Sequence, residues 1–292
     1  MQNDFSFLNL QTCFETEPPP LDFVLPGMLA GTVGGLVSAG GAGKTMLAMQ
    51  MSVAVATGVD SLNFSALDSD FRLKSGKVLF LTAEDPAPIL HKRFHSIGKK
   101  LSRIQRELAI NNMIIAPLVG RSPDLMQRKW QDWIESHADG ARLIVIDTLR
   151  RFHLCDENDG GAMAQVLAVL ERLCQSTGAS TLFLHHASKT GAMNAANSQQ
   201  ASRGSSVLTD NIRFQANLAT MAKEAAEKQG VDERKKYVCL SYPKLNYSAP
   251  INDVWLRRGE GGILEPVQIA AQQSKKKVRT EVSKAVGDEV FN

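Results

Sequence analysis

Apolar residues fall along the chain in two patterns, short continuous blocks and longer periodic stretches, and their alternation predicts strands separated by helices. Lys77-Val-Leu-Phe-Leu-Thr-Ala-Glu84, Arg142-Leu-Ile-Val-Ile-Asp147 and Ser180-Thr-Leu-Phe-Leu-His185-His186 are continuous blocks of the kind buried on both faces of a parallel sheet. Gly31-Thr-Val-Gly-Gly-Leu-Val37 is a further strand, and residues 46–57 have helix-forming composition that stops at Gly58. Residues 86–100 and 101–108 are helical stretches whose charges, His91, Arg93 and His95 among them, suit a solvated face; 113–116 is a short apolar run. Residues 124–138 place Leu125, Trp130, Trp133 and Ile134 on one inward face, which makes these tryptophans core rather than a base-stacking platform. A helix over 162–174 precedes the third block. Beyond it, residues 212–218 alternate like a half-exposed strand, 223–236 form a charged hairpin or helix insertion, and 237–242, 254–256 and 262–265 are closing strands. The expected class is α/β: a mostly parallel central sheet flanked by helices, with antiparallel strands toward the C-terminus.

Between and beyond these elements lie stretches without periodicity. Residues 1–20 end in Glu-Pro-Pro-Pro20, which cannot form a central strand and predicts an arm or linker. Residues 187–204 are small and polar, and too long for an idle connection, so a functional loop is expected there. From residue 272 the chain is basic and polar, a tail containing Lys275-Lys-Lys-Val-Arg279. One domain over 21–271, with an arm before it and a tail after it, is the expected organisation of the 292 residues.

Composition removes several classes. Cys13, Cys155, Cys174 and Cys239 have no metal-ligand spacing, so no zinc site is expected and the thiols suit a reducing, cytoplasmic compartment. No run approaches the roughly 18 apolar residues of a membrane span. A net charge of +3 permits nucleic-acid binding without arguing for it.

The candidate chemistry concentrates at Ser38-Ala39-Gly40-Gly41-Ala42-Gly43-Lys44-Thr45, which stands between a strand and a helix. The glycines let backbone N–H groups turn toward phosphate oxygens while the helix directs its positive end at the same anion. Lys44 would reach the β- and γ-phosphates, and the Thr45 hydroxyl would ligate Mg²⁺. Ser38 stands where the first glycine of this pattern is usual. Glu84 and Asp147 each end a buried strand, which puts carboxylates on the ligand edge of the sheet: Glu84 to polarise an attacking water or to cap a helix, Asp147 to hold the metal.

With these pieces placed, the chain resembles the RecA-like ATPases and, within them, the plasmid-encoded RepA-type hexameric replicative helicases. The resemblance runs from about residue 18 to 264. It is carried by Pro-Pro-Pro-Leu-Asp22, the glycine loop, Ala-Glu-Asp-Pro86, Asp147-Thr-Leu-Arg-Arg-Phe-His153, Leu-His-His-Ala-Ser-Lys189, Gln-Gln-Ala-Ser-Arg-Gly-Ser-Ser206 and Asp-Asn-Ile-Arg213. It implies a homo-hexamer that hydrolyses ATP with Mg²⁺ at subunit interfaces and moves 5′ to 3′ on single-stranded DNA, with plasmid initiator and primase proteins as separate partners. On that basis Ala39 to Thr45 hold the nucleotide, Thr45 and Asp147 the metal. Lys44, Glu84, His186 and Arg213 would be catalytic: Glu84 as base, His186 as γ-phosphate sensor ahead of His185, and Arg213 as a finger reaching the neighbouring subunit's ATP. Tyr247 would pack on adenine. Arg150, Arg151, Lys189 and Arg203 would meet DNA phosphates, or form structural ion pairs. A recombination or repair ATPase and a nucleotide-switched regulator share the same motifs; a retained Glu84 and Arg213 argue against the latter.

Overall fold

The computed structural model describes residues 7–67, 71–186 and 207–269. Strands β1 (Phe23–Leu25) and β2 (Met28–Leu29) form a small hairpin. The remaining strands are β3 (Val33–Ser38), β4 (Lys77–Thr82), β5 (Met113–Pro117), β6 (Ala141–Asp147), β7 (Ser180–His186), β8 (Phe214–Thr220), β9 (Tyr237–Leu245), β10 (Val254–Arg258) and β11 (Leu264–Pro266). They form one nine-stranded sheet in the order β11-β10-β9-β8-β3-β7-β6-β4-β5. Pairing is parallel from β8 through β5 and antiparallel from β8 through β11, the architecture expected from the run of apolar blocks.

The helices are α1 (Leu10–Glu15), α2 (Lys44–Thr57), α3 (Ala87–Gly98), α4 (Arg103–Asn112), α5 (Arg128–His137), α6 (Gly160–Thr177), α7 (Val207–Asn211) and α8 (Lys223–Gln229). Helix α2 is buried nearly all round, its few polar side chains included, and it ends at Gly58 in the left-handed region. It covers one face of the sheet with Leu47, Met51, Phe80 and Leu184 in one apolar layer. Helices α5 and α6 cover the other with Ile134, Ile144, Leu167, Leu170 and Phe183. Burial of each such side chain stabilises the fold by roughly 1.5–3 kcal/mol. The termini of α6 are set locally: the Asp159 carboxylate accepts from the Gly161 and Ala162 amides, and Gly178 closes the other end. Trp130 and Trp133 are half-buried against this second layer, as core residues.

Two differences from the sequence-based expectations have clear causes. Residues 214–218 alternate in polarity yet all are buried: Phe214, Ala216 and Leu218 join the apolar layer of α2, and Gln215 and Asn217 are buried on the other face. Gln215 Nε2 there donates to Asn217 Oδ1 at 2.8 Å. The close approach of β8 to β3 also explains Gly34, where a Cβ would meet the Phe214 ring at 2.7 Å. The N-terminal arm, in turn, contains a helix: α1 is capped by the Asn9 side chain, and no residue of it is buried. Phe7 and Phe14 on that arm are 93% and 82% exposed.

Among the described residues no helix is long and apolar enough to cross a membrane, and no cluster of His, Cys, Asp and Glu has metal-site geometry. The loop at 187–204, with Lys189 and Arg203, and the basic tail lie outside the described residues.

Candidate functional site

The loop after β3 enters α2 through Gly41 and Gly43, both left-handed at φ +77° and +98°. Residues with a side chain resist that conformation, so the loop can turn its amides inward only with glycine there. Ala39, Gly41, Ala42, Gly43, Lys44 and Thr45 line a cleft of about 340 Å³ together with Glu84, Asp85, Arg93, His186 and Arg258. Parallel register explains the convergence: Ser38 pairs with His186 and Thr82 with Asp147, so the carboxyl ends of β3, β7, β4 and β6 meet at one edge. This edge is where open α/β sheets bind ligands.

Asp147 is fully buried beneath the loop. Burial, followed by the nearby Glu84 charge, pushes its carboxyl up to about 6, against the opposing effects of the Thr45 hydroxyl bond and Lys44. Its Oδ2 accepts from Thr82 Oγ1 at 3.4 Å, while Oδ1 has no hydrogen-bond partner among the described residues. An orphaned buried carboxylate oxygen beside a threonine hydroxyl fits a divalent cation, which takes oxygen ligands and would neutralise the charge. Lys44 is buried too; burial lowers its ammonium pKa, and Asp147 and Glu84 oppose that.

Glu84 stands in front of Asp147. Its Oε1 accepts a 2.8 Å hydrogen bond from Thr148 Oγ1 and lies 3.5 Å from His186 Nε2. The His186 bond first, then that of Thr148, hold Glu84 down at about 2 in spite of its burial. An ionised carboxylate fixed by two polar neighbours at the pocket mouth can accept a proton from an attacking water.

Glu84 and His186 also border a second cleft, on the far side from the glycine loop, which Arg150, Arg151, His153 and Leu154 line with the 118–124 turn. Arg150 donates to the His153 carbonyl at 3.3 Å and lies 3.9 Å from Glu157, so it carries a structural ion pair and still faces the cleft. His185 is buried beside Glu157, 3.8 Å from its Oε1, and faces away from the glycine loop; of the two histidines, His186 lines the nucleotide cleft.

Two expected residues do not join this pocket. Arg213 immediately precedes β8, whose Phe214 pairs with Gly34, whereas Ser38 pairs with Leu218. Arg213 thus lies at the amino edge of the sheet, on the order of 15 Å along the strand from the loop of its own chain. Tyr247 follows Leu245, which pairs with Phe214, and so shares that edge; it is 41% exposed and not part of the nucleotide cleft of its own chain. From that edge, any contact of Tyr247 with adenine would be made to another copy's nucleotide.

Two other residues in the pocket have no sequence signal. Arg93, assigned above to a solvated face, pairs with Asp85 at 2.6 Å inside the cleft. Arg258, at the end of β10, donates from Nη2 to the Ala42 carbonyl at 2.9 Å.

Comparison with known proteins agrees with this geometry. The family model described as an AAA domain matches residues 5–192. The fold is similar to that of the ATPase domain of G40P, with TM-score 0.54 and 16% identity over 89% of this chain and 96% of that one. It is also similar to a KaiC-like protein of Pyrococcus horikoshii OT3, with TM-score 0.56 and 16% identity over 85% and 100%, and to the RadB recombinase, with 0.53 and 14% over 82% and 92%. At these identities the likeness is one of fold.

Proposed function

The chain belongs to the AAA-domain family, with a RecA-like P-loop ATPase fold, and from that premise we propose that it is a ring-forming replicative DNA helicase of plasmid type. In this reading six copies hydrolyse ATP at their interfaces and move 5′ to 3′ along single-stranded DNA. Lys44 and the loop amides bind the nucleotide phosphates, and Thr45 and Asp147 hold Mg²⁺, whose bound charge would offset that of the triphosphate. Glu84 orients the attacking water and accepts its proton, since the Thr148 and His186 contacts keep it ionised. Arg213, remote from its own loop, serves the pocket of the next copy, where it would stabilise charge that develops on the transferred phosphoryl group. The exposed apolar arm at residues 7–15 packs on a neighbour.

The observation that carries the reading is the shared wall: Glu84 and His186 separate the nucleotide cleft from the cleft lined by Arg150 and Arg151. A phosphate backbone held by those arginines would bear on the same two side chains that respond to hydrolysis. The test is displacement of a labelled strand from duplexes with a 5′ or a 3′ tail, in the presence of ATP and Mg²⁺. Unwinding that requires the 5′ tail and is lost in Lys44→Ala is the expected result. DNA-stimulated hydrolysis without displacement would instead indicate a recombination-type ATPase.

A further inference from the structure

The closing hairpin β10–β11 reaches the glycine loop from the side opposite Glu84. In the sheet, β7, β6 and β4 lie to one side of β3, and β8 to β11 lie to the other. The pocket therefore has two walls, Glu84, Asp85 and His186 on the first side, and Arg258, Gly261 and Gly262 on the second. Antiparallel pairing of β10 with β9, and of β9 with β8, makes β10 run in the same sense as β3, so Arg258 emerges at the loop edge.

This hairpin is fastened in place. Gln50 of α2 donates to the Leu264 carbonyl and accepts from the Leu264 amide, both at 2.8 Å. Beside this contact Lys100 pairs with Glu265 at 3.0 Å. Arg258 then leans over the loop: besides the bond to Ala42, its Nη1 lies 3.2 Å from where a Gly43 Cβ would be. The three cations of the pocket differ in their partners. Lys44 lies in the field of Asp147 and Glu84, and Arg93 is neutralised by Asp85. Arg258 has no carboxylate partner among the described residues; its one hydrogen bond goes to a loop carbonyl.

We infer that Arg258 is a nucleotide-binding residue, supplied by the same chain, that contacts the phosphates shared by ADP and ATP on the side of the pocket away from Glu84. This rests on the nucleotide reading of the glycine loop and goes beyond it in making the C-terminal hairpin part of the site. A guanidinium beside Gly43 has donors left over for a phosphate oxygen, and a charge-assisted bond of that kind is worth about tenfold or more in affinity. Because the γ-phosphate end belongs to the opposite wall, loss of Arg258 weakens ADP and ATP alike and does not act on the chemical step.

The test is titration of the full chain with a fluorescent ADP and a slowly hydrolysed ATP analogue, for wild type, Arg258→Ala, Arg258→Lys and Lys44→Ala. Arg258→Ala should weaken both nucleotides about tenfold or more, with Arg258→Lys between it and wild type. Unchanged ADP affinity in a folded Arg258→Ala overturns the inference. Should that variant not fold, hydrogen exchange of residues 254–266 in the wild type decides: protection on adding ADP supports it, and no change overturns it. If Lys44→Ala binds ADP as wild type does, the nucleotide reading itself fails.

Discussion

Arg213 and Lys44 lie at opposite ends of the same sheet: Lys44 follows the carboxyl end of β3, and Arg213 precedes the amino end of the adjacent parallel strand β8. No motion of a side chain can bring them to one phosphate group in one chain. If Arg213 serves a neighbour, Arg213→Ala should lower kcat by about 10³-fold and leave nucleotide affinity intact. Mixing Arg213→Ala with Lys44→Ala, each inactive alone, should restore part of the hydrolysis, because one subunit supplies the finger and the other the loop. A mixture as inactive as its parts would mean that Arg213 is not shared between copies.

Glu84 invites a sharper separation of binding from chemistry. Glu84→Gln keeps the size and the Thr148 contact and removes the proton acceptor. Nucleotide binding should persist while turnover falls by roughly 10²–10⁴-fold. Thr148→Val, which removes one of the two polar neighbours that orient Glu84, should cost far less, about tenfold in kcat with KM unchanged. The check is steady-state ATPase kinetics beside an equilibrium binding titration; equal losses in both variants would argue against Glu84 as the base.

Much of this site was legible beforehand, and for a physical reason. Strands buried on both faces are unbroken apolar runs, so a carboxylate or histidine that terminates one, such as Glu84, Asp147 or His186, announces its place at the sheet edge. Arg258 could not be found that way. It closes β10, a short and largely half-buried strand, and its approach to Ala42 depends on the order of nine strands, which pairwise sequence patterns do not contain. Arg93 on α3 looks like any solvent-facing helix charge until Asp85 folds back onto it. The place of Tyr247 follows from register alone, since Leu245, two residues before it, pairs with the start of β8 and not its end. Polar alternation at Gln215 and Asn217 mimics a half-exposed strand, yet both side chains are buried and joined by a hydrogen bond in the interior.

Asp147 yields a prediction about the metal. Its buried Oδ1 has no hydrogen-bond partner among the described residues, a cost that a cation would remove. Without metal, Asp147→Asn should therefore melt higher than wild type, by about 2 °C for a shift of ~1 kcal/mol in a domain of this size. With Mg²⁺ and ATP the order should reverse, since only the carboxylate binds the metal tightly, and chelation should abolish hydrolysis by the wild type. Differential scanning fluorimetry with and without Mg²⁺ reads both effects. A wild type more stable than the variant even in chelator would show that Asp147 is satisfied by something other than a cation.

An ion pair between Asp22 and Arg142 joins the β1–β2 hairpin to the sheet. Asp22 accepts two hydrogen bonds from the Arg142 guanidinium, at 2.7 and 2.8 Å, and Arg142 also donates to the Phe23 carbonyl. The Arg142 bond, and after it Lys74, lower the Asp22 carboxyl from 3.8 to about 2. A carboxylate whose folded value is depressed contributes stability in full above its unfolded value, and that stability is lost as pH falls through the folded value. The contribution of Asp22 is thus present at neutral pH and fades between about pH 4 and pH 2. Asp22 is partly exposed, so solvent screening reduces the effect to about 1 kcal/mol. Urea unfolding of wild type and Asp22→Asn should differ by about that amount at pH 7 and converge as the pH is lowered toward about 2, because protonation then abolishes in the wild type what the substitution has already removed. A difference that persists undiminished in acid would place the value of Asp22 in packing or uncharged hydrogen bonding, and not in its pairing with Arg142.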